Sequence, residues 1–303
     1  MSMIMRKKAS IKTVIRIAFL VVCVLTHAEA CADPNTLTFF GWSDQHVQTD
    51  GDGTHLIPAI DAMNTLPKTA YPEDLGGTVD EPNFVIGLGD ITEWPTRSAR
   101  DTYEQLITKR LKYSSFDVAG NHDSGGNSPS PTIHDWLKKR HGALSYTFDR
   151  KGVHFVALYS KYDESLNSPA QPIAEEALEY LRKDLSKVPE GTPVVVATHL
   201  CFEAITNRDE FVDTLGDANV VLVLGGHYHK ATVNKYRGIN FVQLPSPAAG
   251  SPSEFTVIRI DSERLVAVPY DYEKGKWSTD PKKILNTKIR GLRRIPYRHQ
   301  TRQ

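Results

Sequence analysis

Five apolar segments of this chain each end in a short polar motif, and this repeated arrangement restricts the fold more than any other feature. The motifs are Asp44-Gln45-His46, Gly89-Asp90, Gly120-Asn121-His122-Asp123, His199 and Gly225-Gly226-His227-Tyr228-His229. The segments before them are rich in Val, Ile, Leu and Phe, which favour β-strands. Because the carboxyl ends of strands in an α/β sheet meet along one edge, we expect the motifs to converge there.

The rest of the chain continues the same alternation of strand-like and helical segments. The expected strands are 36–42, 84–88, 116–119, 153–159, 194–197, 220–224, 239–244 and 255–260, and the expected helices are 57–65, 99–111, 133–139, 174–185 and 210–215. This alternation predicts an α/β fold with buried sheets. Several strands are apolar on both faces, so helices or a second sheet must cover them.

The motifs supply side chains that suit a pair of metal ions. The candidate ligands are two carboxylates, four imidazoles and one carboxamide, with no thiolate: Asp44, His46, Asp90, Asn121, His199, His227 and His229. Mixed nitrogen and oxygen ligands suit manganese, iron or zinc. Seven ligands exceed what one tetrahedral ion needs, and Asp90 could bridge two ions.

Taken singly, each motif has an ordinary structural explanation. An isolated Asp-x-His usually lies in a solvated loop, His-x-His is often an exposed pair, and His199 alone could be a buried core histidine. All five motifs occur here, each directly after a strand-like segment. Their joint occurrence therefore favours one shared site.

With these motifs, the chain resembles the calcineurin-like metallophosphoesterase family over about residues 37–230. The resemblance implies a four-layer αββα sandwich, in which two β-sheets pack face to face and helices flank them. It implies one metal ion held by Asp44, His46 and His229, a second held by Asn121, His199 and His227, and Asp90 bridging both. His122 would lie beside the metals without binding them, and it is the candidate general acid.

The residues after Asp90 separate the branches of that family. Ile91 to Trp94 lack the arginine that continues this motif in protein phosphatases, and Glu93 stands where purple acid phosphatases have a tyrosine. The chain therefore resembles the bacterial phosphodiesterase-like branch more closely. Glu93 is also a candidate orienting partner for His122, and an exposed glutamate at a helix start is the alternative.

These interpretations predict an enzyme that hydrolyses phosphodiesters or phosphomonoesters by attack of a hydroxide bridging two metal ions. A hypothesis of another class is a scaffold or binding protein that keeps the fold without the chemistry. Specificity for a small phosphoester substrate would come from the loops at residues 48–55, 125–131 and 202–208.

The amino terminus indicates export. Residues 1–30 combine a basic region, an apolar run of about ten residues and a small-residue cleavage site, which is typical of a signal peptide and too short for a membrane span. Lipidation of Cys31 is the alternative outcome. We therefore expect a catalytic domain at 31–275, a basic tail at 276–303 and a periplasmic or extracellular location. The 36 basic and 36 acidic residues balance, so nothing indicates nucleic-acid binding.

Overall fold

The computed structural model describes residues 36–289 of the protein. The expected signal peptide, the lipidation site Cys31 and the basic residues from Arg290 onward lie outside the described residues, so those expectations stay predictions. Within the described range, no helix has the length and apolar character needed to cross a membrane.

The described chain alternates strands with helices, as the sequence predicts. The strands are β1 (Leu37–Trp42), β2 (Val85–Leu88), β3 (Ser115–Val118), β4 (Tyr146–Arg150), β5 (Val153–Leu158), β6 (Val194–Thr198), β7 (Val220–Gly225), β8 (Thr232–Tyr236), β9 (Ile239–Gln243), β10 (Glu254–Ile260), β11 (Arg264–Asp271), β12 (Lys276–Trp277) and β13 (Leu285–Lys288). The α-helices are α1 (Ile57–Thr65), α2 (Arg97–Gln105), α3 (Thr132–His141), α4 (Glu175–Leu185) and α5 (Arg208–Thr214). Helix α2 begins two residues before its predicted start because the Thr96 hydroxyl accepts a hydrogen bond from the Ala99 amide and caps the helix.

The strands form two sheets. The first has the order β12-β11-β10-β1-β2-β3, with β13 also paired to β11, and the second has the order β4-β5-β6-β7-β9-β8. Strands β1, β2 and β3 run parallel to one another, and so do β5, β6, β7 and β9. The parallel strands of each sheet therefore release their loops at a common edge.

Three apolar layers hold the sheets and helices together. Between the sheets, the buried ring of Phe155 from β5 lies 5.5 Å from Phe39 of β1 and 5.2 Å from Phe84, both edge to face. Helices α1, α2 and α3 cover the outer face of the first sheet, and α4 and α5 cover that of the second. The result is an αββα sandwich, and the predicted fold class is confirmed.

The far end of the described chain differs from the expectation of a tail beginning at residue 276. Strands β12 and β13 fall inside that segment, and both pair with β11 in the first sheet. Lys283 also forms an ion pair with the buried carboxylate of Glu254, 2.9 Å away. Residues 276–288 thus complete the first sheet.

Candidate metal centre

The seven predicted ligands converge where the two sheets release their loops. Strands β1, β2 and β3 lead into Asp44 and His46, Asp90, and Asn121 respectively, and β6 and β7 lead into the three remaining histidines. Two groups of predicted ligands form, each with ligand atoms that all lie within 4.8 Å of one another, and a third group of the same kind joins His46 to Glu93 and His122. The first holds Asp44, His46 and His229, and the second holds Asp90, His199 and His227. Asn121 joins the second group, with its side-chain oxygen 3.0 Å from His199 Nε2.

The ring of His199 is fixed by a main-chain contact. Its Nδ1 lies 2.6 Å from the carbonyl oxygen of Leu88 and donates a hydrogen bond to it. In the neutral ring, the other nitrogen, Nε2, then carries a lone pair. That lone pair faces Asp90 Oδ2 at 3.3 Å, so an acceptor faces an acceptor.

His227 repeats this arrangement from the other side. Its Nε2 donates to the carbonyl oxygen of Pro169 at 2.8 Å, which leaves the lone pair on Nδ1. Nδ1 lies 3.1 Å from Nε2 of His199. Two lone pairs at that separation repel unless a proton or a metal cation lies between them. The chemistry of this donor set therefore fits a bound cation.

The first group has an unpaired acceptor of its own. Asp44 is fully buried, and its Oδ2 accepts a hydrogen bond from the His227 amide at 2.8 Å. Its Oδ1 has no hydrogen-bond partner within residues 36–289 and lies 3.5 Å from Nε2 of His229. Nε2 of His46 lies 3.1 Å from the same His229 nitrogen. A buried carboxylate oxygen without a donor is costly unless a cation compensates it.

Burial and neighbouring charges set the protonation of these groups. Desolvation lowers the pKa of His46 and of His227 to about 4, so both imidazoles are neutral near pH 7, as metal ligands must be. Burial raises the pKa of Asp44 to about 6. His199 differs, because the charge of Asp90 outweighs burial and raises its pKa to about 10. That proton and a metal ion would compete for the same lone pair on Nε2.

His122 lies beside these groups with a different environment. Its amide donates to Asp90 Oδ1 at 2.8 Å, and its ring Nδ1 lies 2.9 Å from the carbonyl oxygen of Glu93. Burial alone would lower its pKa, but the Asp90 charge and the Glu93 carbonyl raise it above the ordinary value. The ring is about one-third exposed, and Nε2 is 4.0 Å from Asp90 Oδ2. It can therefore hold a proton at the edge of the cleft.

Glu93 contacts both histidines, although not in the way the sequence predicted. Its main-chain carbonyl reaches His122, whereas its carboxylate Oε2 lies 2.9 Å from Nδ1 of His46, close but not aligned as a hydrogen bond. A carboxylate there favours the proton on Nδ1 and leaves Nε2 of His46 free to face His229. The carboxylate also lies within 4.8 Å of a His122 ring nitrogen and adds to the rise in the pKa of that ring, so Glu93 is placed beside both histidines and not beside His122 alone.

Asp123 is a structural member of the site that the sequence analysis left unassigned. Its buried carboxylate accepts hydrogen bonds from the amides of Gly120, Ile91 and Thr92 at 2.9–3.2 Å, and from the Thr92 hydroxyl at 3.1 Å. These bonds tie the loop after β2 to the loop after β3. The Gly-Asn-His-Asp motif contained this residue, so the motif itself was the available signal.

The backbone of the site is unusual. Nine non-glycine residues in the described range have positive φ, and five of them are predicted ligands: Asp44 (54°), His46 (45°), Asp90 (51°), His227 (76°) and His229 (58°). Such conformations cost about 1–3 kcal/mol each and persist only where the surroundings enforce them. Two glycines let these loops pack closely. A Cβ on Gly226 would overlap Ser43 Oγ, and a Cβ on Gly120 would overlap Asp90.

Comparison with known proteins identifies phosphatases as relatives in sequence. No family model matches the chain. It is 23% identical over 275 residues to "Serine/threonine-protein phosphatase CPPED1" of Pongo abelii, covering 80% of this chain and 82% of the relative. The protein of the same name from Homo sapiens is 22% identical over 275 residues, with the same coverage.

Solved structures share the fold. A dimetal phosphatase from Danio rerio aligns with a TM-score of 0.60 at 16% identity, covering 84% of this chain and 99% of the other. GAP50, described as the anchor in the inner membrane complex of Plasmodium, aligns with a TM-score of 0.52 at 16% identity, covering 84% and 88%. The chain is thus similar in sequence to phosphatases and shares the fold of a dimetal phosphatase, and its His/Asp groups could hold metal ions.

Proposed function

We propose that this protein hydrolyses phosphoester bonds with the help of two bound metal ions. The observation that carries the proposal is the pair of imidazole nitrogens that face each other in each group, 3.1 Å apart, next to buried carboxylate oxygens. The similarity to phosphatases supports metal-dependent phosphoester hydrolysis as the chemistry of such a centre.

In this proposal Asp44, His46 and His229 hold one ion, Asn121, His199 and His227 hold the other, and Asp90 bridges them. When bound, the two cations would lower the pKa of water to give a hydroxide near neutral pH and would neutralise phosphate charge. The donor set of nitrogens and oxygens suits manganese, iron or zinc.

The protein groups around the ions have separate tasks. His122 is the proposed general acid, because its raised pKa keeps a proton on a ring that borders the cleft. The hydrogen bonds from its amide to Asp90 and from its Nδ1 to the Glu93 carbonyl orient that ring. Its Nε2 would donate the proton to the departing ester oxygen.

We assign the protein to the bacterial phosphodiesterase-like branch, because the arginine of protein phosphatases is absent after Asp90. The relatives carry the name serine/threonine-protein phosphatase, so phosphoserine peptides are the competing substrate class. Export through residues 1–30 remains our proposal for location, and it favours small phosphoesters outside the cytoplasm.

A scaffold function is the second candidate. GAP50 has the same fold and is described as an anchor, so the fold does not imply turnover. The observation against a scaffold in this chain is that all seven candidate ligands are present. A scaffold would bind metal without turning over any ester.

The decisive experiment measures turnover of a p-nitrophenyl monoester, a bis-p-nitrophenyl diester and a phosphoserine peptide with added Mn²⁺. We expect metal-dependent hydrolysis of the diester that is strongly reduced in Asp90→Asn and in His122→Ala. Activity that survives both substitutions would contradict the mechanism. Strong preference for the peptide would contradict the branch, and bound metal without turnover would support the scaffold.

A further inference from the structure

The third group of ligand atoms lies beside the proposed pair of ions and is not needed to hold that pair. His46, Glu93 and His122 each offer one ligand atom, and these three atoms lie within 4.8 Å of one another. The loops that carry them follow β1, β2 and β3, so all three come from the first sheet. Two imidazoles and one carboxylate also form a common set of protein ligands for zinc, with the fourth position left to water.

The ring of His122 is oriented in the same way as two of the predicted ligands. Its Nδ1 donates a hydrogen bond to the Glu93 carbonyl oxygen at 2.9 Å, so in the neutral ring Nε2 carries the lone pair. His199 and His227 likewise have one ring nitrogen held by a main-chain carbonyl, which is how proteins commonly orient metal-binding histidines. Nε2 of His122 can therefore bind either a proton or a cation.

The ring of His46 presents one nitrogen to each of two groups. Its Nε2 faces Nε2 of His229 at 3.1 Å, on the side of the first proposed ion. Its Nδ1 lies 2.9 Å from Oε2 of Glu93, in a contact that is not aligned as a hydrogen bond. The side chain is only 5% exposed, and Nδ1 has no hydrogen-bond partner within residues 36–289. A buried polar atom of this kind is costly unless an ion or a water pairs with it.

The other two members of the group border the solvent. The side chains of Glu93 and His122 are 46% and 32% exposed. The ring of His122 stands edge to face against the buried ring of His46, with centroids 4.8 Å apart. A cation could therefore reach the third group from solvent while the proposed pair of ions stays in place.

We propose that His46, Glu93 and His122 form a third cation site, suited to zinc, and that a cation bound there inhibits hydrolysis. The inhibition rests on the proposed function, because the cation would occupy the Nε2 from which His122 donates its proton. The cation would displace that proton and the one on His46 Nδ1, and both would pass to solvent. Two imidazoles favour zinc over manganese at this position. Repulsion from the pair of ions would make the third ion the most weakly bound.

The first test counts bound ions, because this measurement does not depend on turnover. The wild type, Glu93→Gln and Glu164→Gln are dialysed against Zn²⁺ buffered at rising free concentrations, and the zinc bound per chain is measured by elemental analysis. We expect Glu93→Gln to bind one ion fewer than the wild type at the highest concentrations. Glu164→Gln is the matched control and should bind as many ions as the wild type, because Glu164 lies in the loop after β5 and belongs to none of the three groups. Equal counts in the wild type and Glu93→Gln would overturn the proposal.

The second test measures hydrolysis of bis-p-nitrophenyl phosphate over the same range of free zinc. Zinc is used for every site, so exchange between different metals cannot cause inhibition. We expect wild-type activity to rise and then to fall about tenfold or more from its maximum, because a general acid or base contributes about 10²–10⁴-fold to a rate. The activity of Glu93→Gln should rise to a plateau without the fall, and Glu164→Gln should behave as the wild type does.

The two measurements distinguish failure of this inference from failure of the proposed function. Absence of turnover at every zinc concentration would contradict the proposed function, and the ion count would then decide whether the third site exists. A third ion that binds without loss of activity would overturn the inhibitory role. A fall in activity that persists in Glu93→Gln would place the inhibiting ion elsewhere and would also overturn the proposal.

Discussion

Two buried aspartates in the first sheet and its loops have opposite surroundings. Asp117 of β3 accepts hydrogen bonds from the Tyr103 hydroxyl at 2.7 Å and the Ser115 hydroxyl at 3.2 Å, and it forms an ion pair with Arg140, whose Nε is 3.5 Å away. Burial would raise its pKa, but His141 and Arg140 lower it. Asp44 has one oxygen without a donor, and burial raises its pKa to about 6.

The comparison separates a structural polar cluster from a ligand site. Around Asp117, two hydroxyls donate to the carboxylate and Arg140 supplies a positive charge, so the protein itself compensates the buried charge. Around Asp44, one carboxylate oxygen has no donor, and beside Asp90 the ring of His199 matches its neighbours only by holding a proton or a metal ion. The hydrogen-bond inventory of a buried cluster, more than its burial, indicates whether the cluster serves folding or binding.

The largest effect is expected for Asp44→Asn. The amide oxygen can still accept from the His227 amide, but the charge that would hold a cation is gone. We expect kcat/KM to fall about 1,000-fold, equivalent to about 4 kcal/mol, while the metal-free protein unfolds at nearly the wild-type urea concentration. Metal content by elemental analysis should fall in parallel. Full activity in this variant would contradict the ligand assignment.

The same change at Asp117 should act on stability instead. Asp117→Asn leaves Arg140 without its buried partner, so we expect a loss of about 3 kcal/mol in the free energy of unfolding, with kcat of the folded protein unchanged. Because folding lowers the pKa of Asp117 below its ordinary 3.8, its contribution is present above that pH and is lost as the pH falls through the folded value. The difference in the free energy of unfolding between the wild type and Asp117→Asn, measured by urea titration, should therefore narrow below pH 3.8. A difference that does not change with pH would contradict this account.

Added metal should stabilise the proteins that keep the full ligand set and should not stabilise the variant that lacks the Asp44 carboxylate. A cation at 100 times its dissociation constant stabilises the protein by about 2.7 kcal/mol. We expect Mn²⁺ to raise the unfolding temperature of the wild type and of Asp117→Asn but not of Asp44→Asn, and a chelator to reverse the change. An equal shift in all three proteins, measured by calorimetry, would indicate binding elsewhere.

The smallest effect is expected for Glu93→Gln. The carboxylate beside His46 is lost while the main-chain carbonyl at His122 remains, so Mn²⁺ affinity should weaken about 10- to 100-fold with kcat at saturating metal retained. Glu179→Gln, an exposed position on α4, is the matched control. If kcat fell with no change in affinity, the carboxylate would act on His122 and not on His46.

Most of the strands could be predicted from the sequence, and two of the strands that were missed share a cause. The eight predicted strands all form, and seven of them contain consecutive buried apolar residues, whereas β3 has a half-buried Phe116 and the buried Asp117 before Val118. Strands β4 and β8 lie at the edges of the second sheet and are largely half-buried, so their apolar signal is weak. Strand β11 is different, since residues 265–268 are buried and apolar and the signal was available.

The chemistry of the site could be predicted less completely than its residues. All seven candidate ligands converge, but which ring nitrogen faces inward depends on carbonyls from distant segments. Leu88 lies 111 residues from His199, and Pro169 lies 58 residues from His227. The positive φ angles of five ligands also depend on the assembled loops. No local pattern records such contacts, so they required the structure.

The division of the ligands between the sheets has a consequence for how the protein would mature. Each ion of the proposed pair takes ligands from the loops of both sheets, for example Asp44 with His229, 185 positions apart in the chain. During synthesis neither set is complete until residue 229 has left the ribosome and both sheets have docked. Metal loading would therefore be a late event, and the ions available in the compartment where folding finishes would decide which metal the protein carries.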